Sequence, residues 1–72
     1  MDLIQARRDG VVVLLKEREM VILANAINEI LEGVERWEFS TRVGVEREEA
    51  EELRRKIGDI LVVMEALHAD QE

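Results

Sequence analysis

The stretch from Val45 to Ala69, VEREEAEELRRKIGDILVVMEALHA, carries more apolar surface than one helix can bury against the rest of so short a chain. Ala50, Leu53, Ile57, Ile60, Leu61 and Met64 recur at three- and four-residue steps, the pattern of a helix with one apolar stripe. Val62, Val63, Ala66 and Ala69 add apolar surface around the opposite side, and Gly58 lies near Val62 on the helix wheel. A helix that is apolar most of the way round is expected to be buried most of the way round. The chain has 72 residues and no cysteine. A domain of this size buries only about 60% of the surface its unfolded chain exposes. Disulfides and thiolate metal sites are excluded, so a partner chain is the stabilising device that remains. The expectation is a homodimer whose interface includes Gly58, Val62, Val63, Ala66 and Ala69.

The other end of the chain follows a different period. In LIQARRDGVVVLL, Val11, Val12 and Val13 favour a strand, and Asp9-Gly10 is a favoured two-residue hairpin turn. That turn pairs Arg8 with Val11, Ala6 with Val13 and Ile4 with Leu15, and directs Ile4, Ala6, Val11, Val13 and Leu15 to the core. The second face keeps Leu3, Val12 and Leu14, so it too is half apolar, and a lone two-stranded ribbon is marginal in water. Next, EREMVILANAINEILEG places Met20, Leu23, Ala24, Ile27, Ile30, Leu31 and Val34 on one wide helical stripe, with Gly33 as its stop. The expected fold is α+β: an N-terminal β-hairpin followed by two antiparallel helices, joined by a tight corner at Gly44 and packed on one sheet face. An all-α fold with a β-like arm is the alternative. The whole chain is one small domain, and the last two residues, Gln71 and Glu72, are expected to fray.

Charge narrows the partners. Charged residues make up 38% of the chain and the net charge is −7. That balance opposes non-specific binding to nucleic acid and to anionic membranes. It suits a basic protein partner, which is the partner class expected beside a second copy of the chain. No apolar run approaches the roughly 20 residues of a membrane span, and the expected location is cytoplasmic.

The segment FSTRVGVEREEAEEL, Phe39 to Leu53, has the spacing of a helix-turn-helix. Phe39, Ser40, Val43-Gly44-Val45, Ala50 and Leu53 fill the apolar, small and glycine slots, and over these fifteen or so residues the chain resembles that family. The resemblance implies a DNA-binding regulator. The exposed positions of the second helix argue otherwise: Glu46, Arg47, Glu48, Glu49, Glu51 and Glu52 offer five carboxylates and one arginine to a phosphate backbone. A structural corner between two helices satisfies the same spacing. A second resemblance rests on Asn25, Ala26, Asn28, Glu29, Glu38, Phe39, Thr41, Arg42 and Gly44. These residues resemble a set of small bacterial proteins of uncharacterised function that carry an NAxNE helix and an EFxTRxG turn. The resemblance implies no activity.

Residues able to do chemistry are few. Ser40 and Thr41 are the only hydroxyl side chains, and one or the other is read as the cap of a short helical turn through Val43. Glu65 and His68 have the spacing of a metal-bundle pair, but a bundle site needs further ligands and the chain holds one histidine. His68 is therefore read as packed or frayed. No enzyme, cofactor or metal is expected. Among the polar residues, Asn25 and Asn28 are unusual, because asparagine is a poor helix former. Asn28 is expected to tie down the following loop through backbone hydrogen bonds. Asn25, Glu29 and Arg42 are candidates for partner recognition, with Arg42 alternatively pairing with a glutamate to pin the corner. Trp37, the only tryptophan, is expected as a lid with Phe39 beneath it; exposed, it would instead be a binding hot spot. On the exposed helix faces, Glu51 with Arg55 and Glu52 with Lys56 are the expected spaced pairs.

Overall fold

A computed structural model describes residues 1–70; the fraying expected of Gln71 and Glu72 lies outside the described residues. Two strands, β1 (Asp2–Arg7) and β2 (Gly10–Leu14), form an antiparallel ribbon. Helix α1 (Glu17–Gly33) follows, then a 3-10 turn (Arg36–Glu38), a one-turn helix α2 (Phe39–Val43) and the long helix α3 (Arg47–Asp70). The α+β hairpin-and-helices architecture is as the periodicities require.

The ribbon differs in register from the sequence expectation. Ala6 pairs with Val11 and Arg7 with Gly10, so Arg8 and Asp9 make the turn and Gly10 already belongs to β2. Neither Arg8 nor Asp9 has a positive φ, which excludes the turn that Asp-Gly at its centre would have formed. An irregularity between Leu3 and Gln5 then shifts the pairing again. The expected core face does not form: Ile4, Ala6 and Val11 are exposed, and only Val13 and Leu15 are half-buried. The helices pack on each other rather than on a covered sheet face, and the ribbon makes few contacts with them.

Both long helices start the same way. Glu19 Oε1 accepts the Lys16 backbone N–H at 3.0 Å, and Glu49 Oε1 accepts that of Glu46 at 3.4 Å. A glutamate in the first turn thus satisfies an amide that the helix leaves unpaired, and its charge suits the positive end of the helix dipole. Helix α2 has no side-chain cap, so Ser40 and Thr41 do not cap it; both lie inside or at the start of its single turn, with Glu38 preceding it. Gly44 ends α2 at φ 91°, and its N–H donates to the Ser40 carbonyl at 2.9 Å. A left-handed residue at this place reverses the chain within two residues, which is why the corner needs glycine.

Helices α1 and α3 run antiparallel: Glu17 at the start of α1 meets His68 near the end of α3, and Leu31 near the end of α1 meets Arg47 at the start of α3. Met20, Ala24 and Ile57 form the core of this seam, with Leu15, Ile27, Leu61 and Met64 packed around them. Phe39 and Ala50 are buried at the corner end, Phe39 almost completely at 1% exposure. These five are the buried side chains among the described residues. The result is a thin slab, 46 × 31 × 15 Å. Its radius of gyration, 14.5 Å, exceeds the roughly 11 Å of a compact chain of this length.

Candidate interaction surface

The two flanks of the α1–α3 seam have opposite chemistry. On one flank, Arg54 Nε donates to Asn28 Oδ1 at 3.0 Å. Arg47 Nη1 donates to the Leu31 carbonyl at 2.7 Å, and its Nε lies 3.0 Å from Glu51 Oε1. The Arg47 guanidinium also sits over the Phe39 ring, 5.8 Å from its centroid, closing the corner core with a cation–π contact. Asn28 therefore holds the two helices together through an arginine. It does not tie down the following loop, as the sequence suggested, because Arg54 arrives from α3 at the height of Asn28.

The other flank is apolar. Ile27 and Ile30 of α1, Val43 and Val45 of the corner, and Ala50 and Leu53 of α3 line a shallow groove of about 240 Å³, with Glu49 its one charged lining residue. Beyond it, Ile60 is 50% and Leu67 57% exposed, continuing the line of Leu53 at 51%. These three residues are seven apart. They pair with a second seven-residue series, Ala50, Ile57 and Met64, to make the two apolar stripes of a coiled-coil helix. Ile57 and Met64 pack into the seam with α1 and Ala50 is buried at the corner end, while Leu53, Ile60 and Leu67 stay exposed. Leu53 and Ile60, placed by their spacing on the packed stripe of α3, are exposed instead, and Leu67 extends their seven-residue series.

The residues expected at a dimer interface fall on different sides of α3. Val62, Ala66 and Ala69 are exposed, Val62 at 65%, and lie on the side of the helix away from the Leu53–Ile60–Leu67 stripe. Val63, 59% exposed, adjoins that stripe. Gly58 is half-buried on the polar flank, where the Arg54 guanidinium folds over it; a Cβ there would stand 3.1 Å from Arg54 Nη1.

The partner-recognition candidates are all exposed. Asn25 and Glu29 lie on the outer face of α1. Arg42 donates to Glu38 Oε1 at 3.2 Å, the glutamate pair anticipated for it. Trp37 is 82% exposed, so it is not a lid over Phe39; the 3-10 turn carries it outward while Phe39 turns in. Among the described residues, no hydrogen bond or ion pair joins Asn25 or Glu29 to Trp37 or Arg42.

The acidic first turns of α3 are partly matched. Glu48 lies 3.6 Å from Arg36, and Glu51 pairs with Arg47. Arg55 bonds Glu52 and Asp59 instead of Glu51, which Arg47 has already engaged. The Arg55 hydrogen bond holds the Glu52 carboxyl below the usual carboxylate range. Glu19 is lowered likewise, first by the chain's amino-terminal ammonium and then by the Lys16 amide. His68 is neither packed nor frayed: its Nδ1 is 3.0 Å from Glu17 Oε2, and the ring is exposed. Among the described residues, no group of three or more histidine, aspartate or glutamate side chains is placed to hold a metal, and no helix is long and apolar enough to cross a membrane. Comparison with family models, with curated proteins and with solved structures returns no match.

Proposed function

We propose that this chain is a non-catalytic protein-interaction domain that works as a homodimer in the cytoplasm. The observation that carries the reading is uncovered surface. The chain exposes 5975 Å². A compact monomer of its mass exposes about 4,600 Å², so the excess is roughly 1,400 Å². A standard interface buries about 800 Å² per partner, and obligate dimers bury more. The excess thus has the size of one subunit interface. Exposed apolar side chains contribute to it, from the open stripe of α3 and from Leu3, Ile4, Val11, Ile22 and Trp37. A symmetric pair of chains supplies the second layer that a thin α+β slab lacks.

A basic protein is the second partner in this reading. Net charge −7 and the carboxylates at Glu46, Glu48, Glu49 and Glu52 favour it, with Asn25, Glu29, Trp37 and Arg42 exposed for contact. Neutralising or regulating such a partner is the role that fits a small acidic domain of this kind. Sedimentation of the purified chain tests the dimer, and the dimer reading fails if the chain is monomeric at high micromolar concentration.

One observation favours a second reading, a DNA-binding regulator: Phe39 and Ala50 are buried and Gly44 is left-handed, as a helix-turn-helix corner requires. The exposed carboxylates at the start of α3 weigh against it, because each must approach a phosphate backbone. Titration of duplex DNA at two salt concentrations separates the readings. Tight binding that weakens steeply with salt would favour the regulator.

A further inference from the structure

Resting on the dimer reading, we infer that two copies join through the open stripe of α3, with the two α3 helices antiparallel and Ile60 meeting Ile60 of the second copy. Three observations select this seam. The first is chemistry. The flank bearing Asn28–Arg54 and Arg47–Glu51 is filled with guanidinium groups that a second copy would have to desolvate, whereas the flank bearing Leu53, Ile60 and Leu67 is mainly apolar, with Glu49 and Lys56 at the Leu53 end. The second is pattern. Leu53, Ile60 and Leu67 occupy one position of a seven-residue repeat whose other position is already packed on α1. The stripe spans about 21 Å of helix, roughly four turns on each chain. It reads Leu-Ile-Leu in both directions, so an antiparallel copy sets Leu53 against Leu67 of the other chain and Ile60 against itself. Leu23, 37% exposed, and Ile30 of α1 widen the same face, so that two α1–α3 pairs close into a four-helix bundle.

The third observation is charge, and it fixes direction. Glu46, Glu48, Glu49, Glu51 and Glu52 crowd the amino-terminal turns of α3. A parallel pair would bring the two acidic ends together; an antiparallel pair places them at opposite ends and opposes the helix dipoles favourably. The occupant is a second copy because the chain's excess exposed surface, roughly 1,400 Å² with this stripe as one part of it, is of the size one subunit interface covers per chain, and because the stripe is complementary to itself.

The chain has no cysteine, so single introduced cysteines report the geometry without background. A disulfide forms only where two Cα atoms approach within about 7 Å. After sedimentation of the parent, I60C alone and an equimolar mixture of L53C with L67C are oxidised under mild conditions. Both are expected to give covalent dimers, while L53C alone is not. Self-cross-linking of L53C, with none between L53C and L67C, would overturn the antiparallel arrangement. A dimeric parent in which none of these variants cross-links would place the interface elsewhere and leave the dimer reading intact; a monomeric parent would remove both. As a second measurement, Ile60→Glu is expected to weaken dimerisation by about 100-fold or more, since it buries two like charges at the axis. Val62→Glu with Ala66→Glu, on the far side of α3, is expected to leave the dimer intact. The reverse result would move the seam to that side.

Discussion

Replacing Phe39 by alanine should remove a large part of the folding free energy. The ring is 1% exposed at the corner between α2 and α3, and Arg47 lies across its face. A buried phenylalanine withdraws about 150–250 Å² from water, or about 4–6 kcal/mol at 25 cal/mol per Å². Alanine keeps a fraction of that, so the expected cost is about 3–5 kcal/mol, including the cavity left behind. Loss of the cation–π contact adds about 0.5–1 kcal/mol if Arg47 finds no new partner. A domain of 72 residues has a total stability of about 4–11 kcal/mol. The variant should therefore approach the edge of folding, while Phe39→Leu, which keeps most of the volume, should cost less than about 1.5 kcal/mol. Urea unfolding followed by far-ultraviolet circular dichroism measures the difference, with all chains at one concentration because dimer stability depends on it. With a slope near 1 kcal/mol per molar, the alanine midpoint should fall by about 3–5 M. A fall under about 0.5 M at unchanged slope would show that Phe39 does not anchor the corner.

The corner also predicts that Gly44→Ala costs about 1–2 kcal/mol in the same unfolding assay, because φ is 91° and the space around the missing Cβ is open, leaving backbone strain as the whole cost. A neutral substitution would mean that the corner relaxes. Asn28→Ala and Arg54→Ala should show a coupling of about 1 kcal/mol in a double-mutant cycle, the value of a charge-assisted bond across a half-buried seam. Additive effects would show that the bond carries no weight. The lowered carboxyls of Glu19 and Glu52 stabilise the fold fully above the unfolded glutamate pKa of about 4.3. That contribution should disappear as the pH falls through their lowered folded-state values, and nuclear magnetic resonance titration of the two carboxyls in folded and unfolded chains measures it directly.

The parts of the fold legible in the sequence are those governed by one period. α1 coincides with the span that its apolar spacing marks, from Glu17 to Gly33, and the Gly44 corner needed only a glycine between two apolar residues. The ribbon register was not legible, since Asp9-Gly10 fits a turn locally while the chain turns one residue earlier at Arg8-Asp9. With Ile4 and Val11 both exposed, no core contact enforces either register. Trp37 and Phe39 lie two residues apart, and a 3-10 turn sends one out and the other in; spacing alone does not say which. Asn28 and Arg54 are distant in sequence and meet only once α1 and α3 are packed. The same packing shows which half of α3's apolar surface stays open, a distinction that a helix wheel without a neighbour does not contain.

Sedimentation equilibrium of the unmodified chain, over a range reaching high micromolar concentration, decides whether two copies associate. A homodimer gives a single species at twice the 8.3 kDa of the chain, with a urea midpoint that rises as the chain is concentrated. A species of 8.3 kDa throughout, with unfolding independent of concentration, would contradict it.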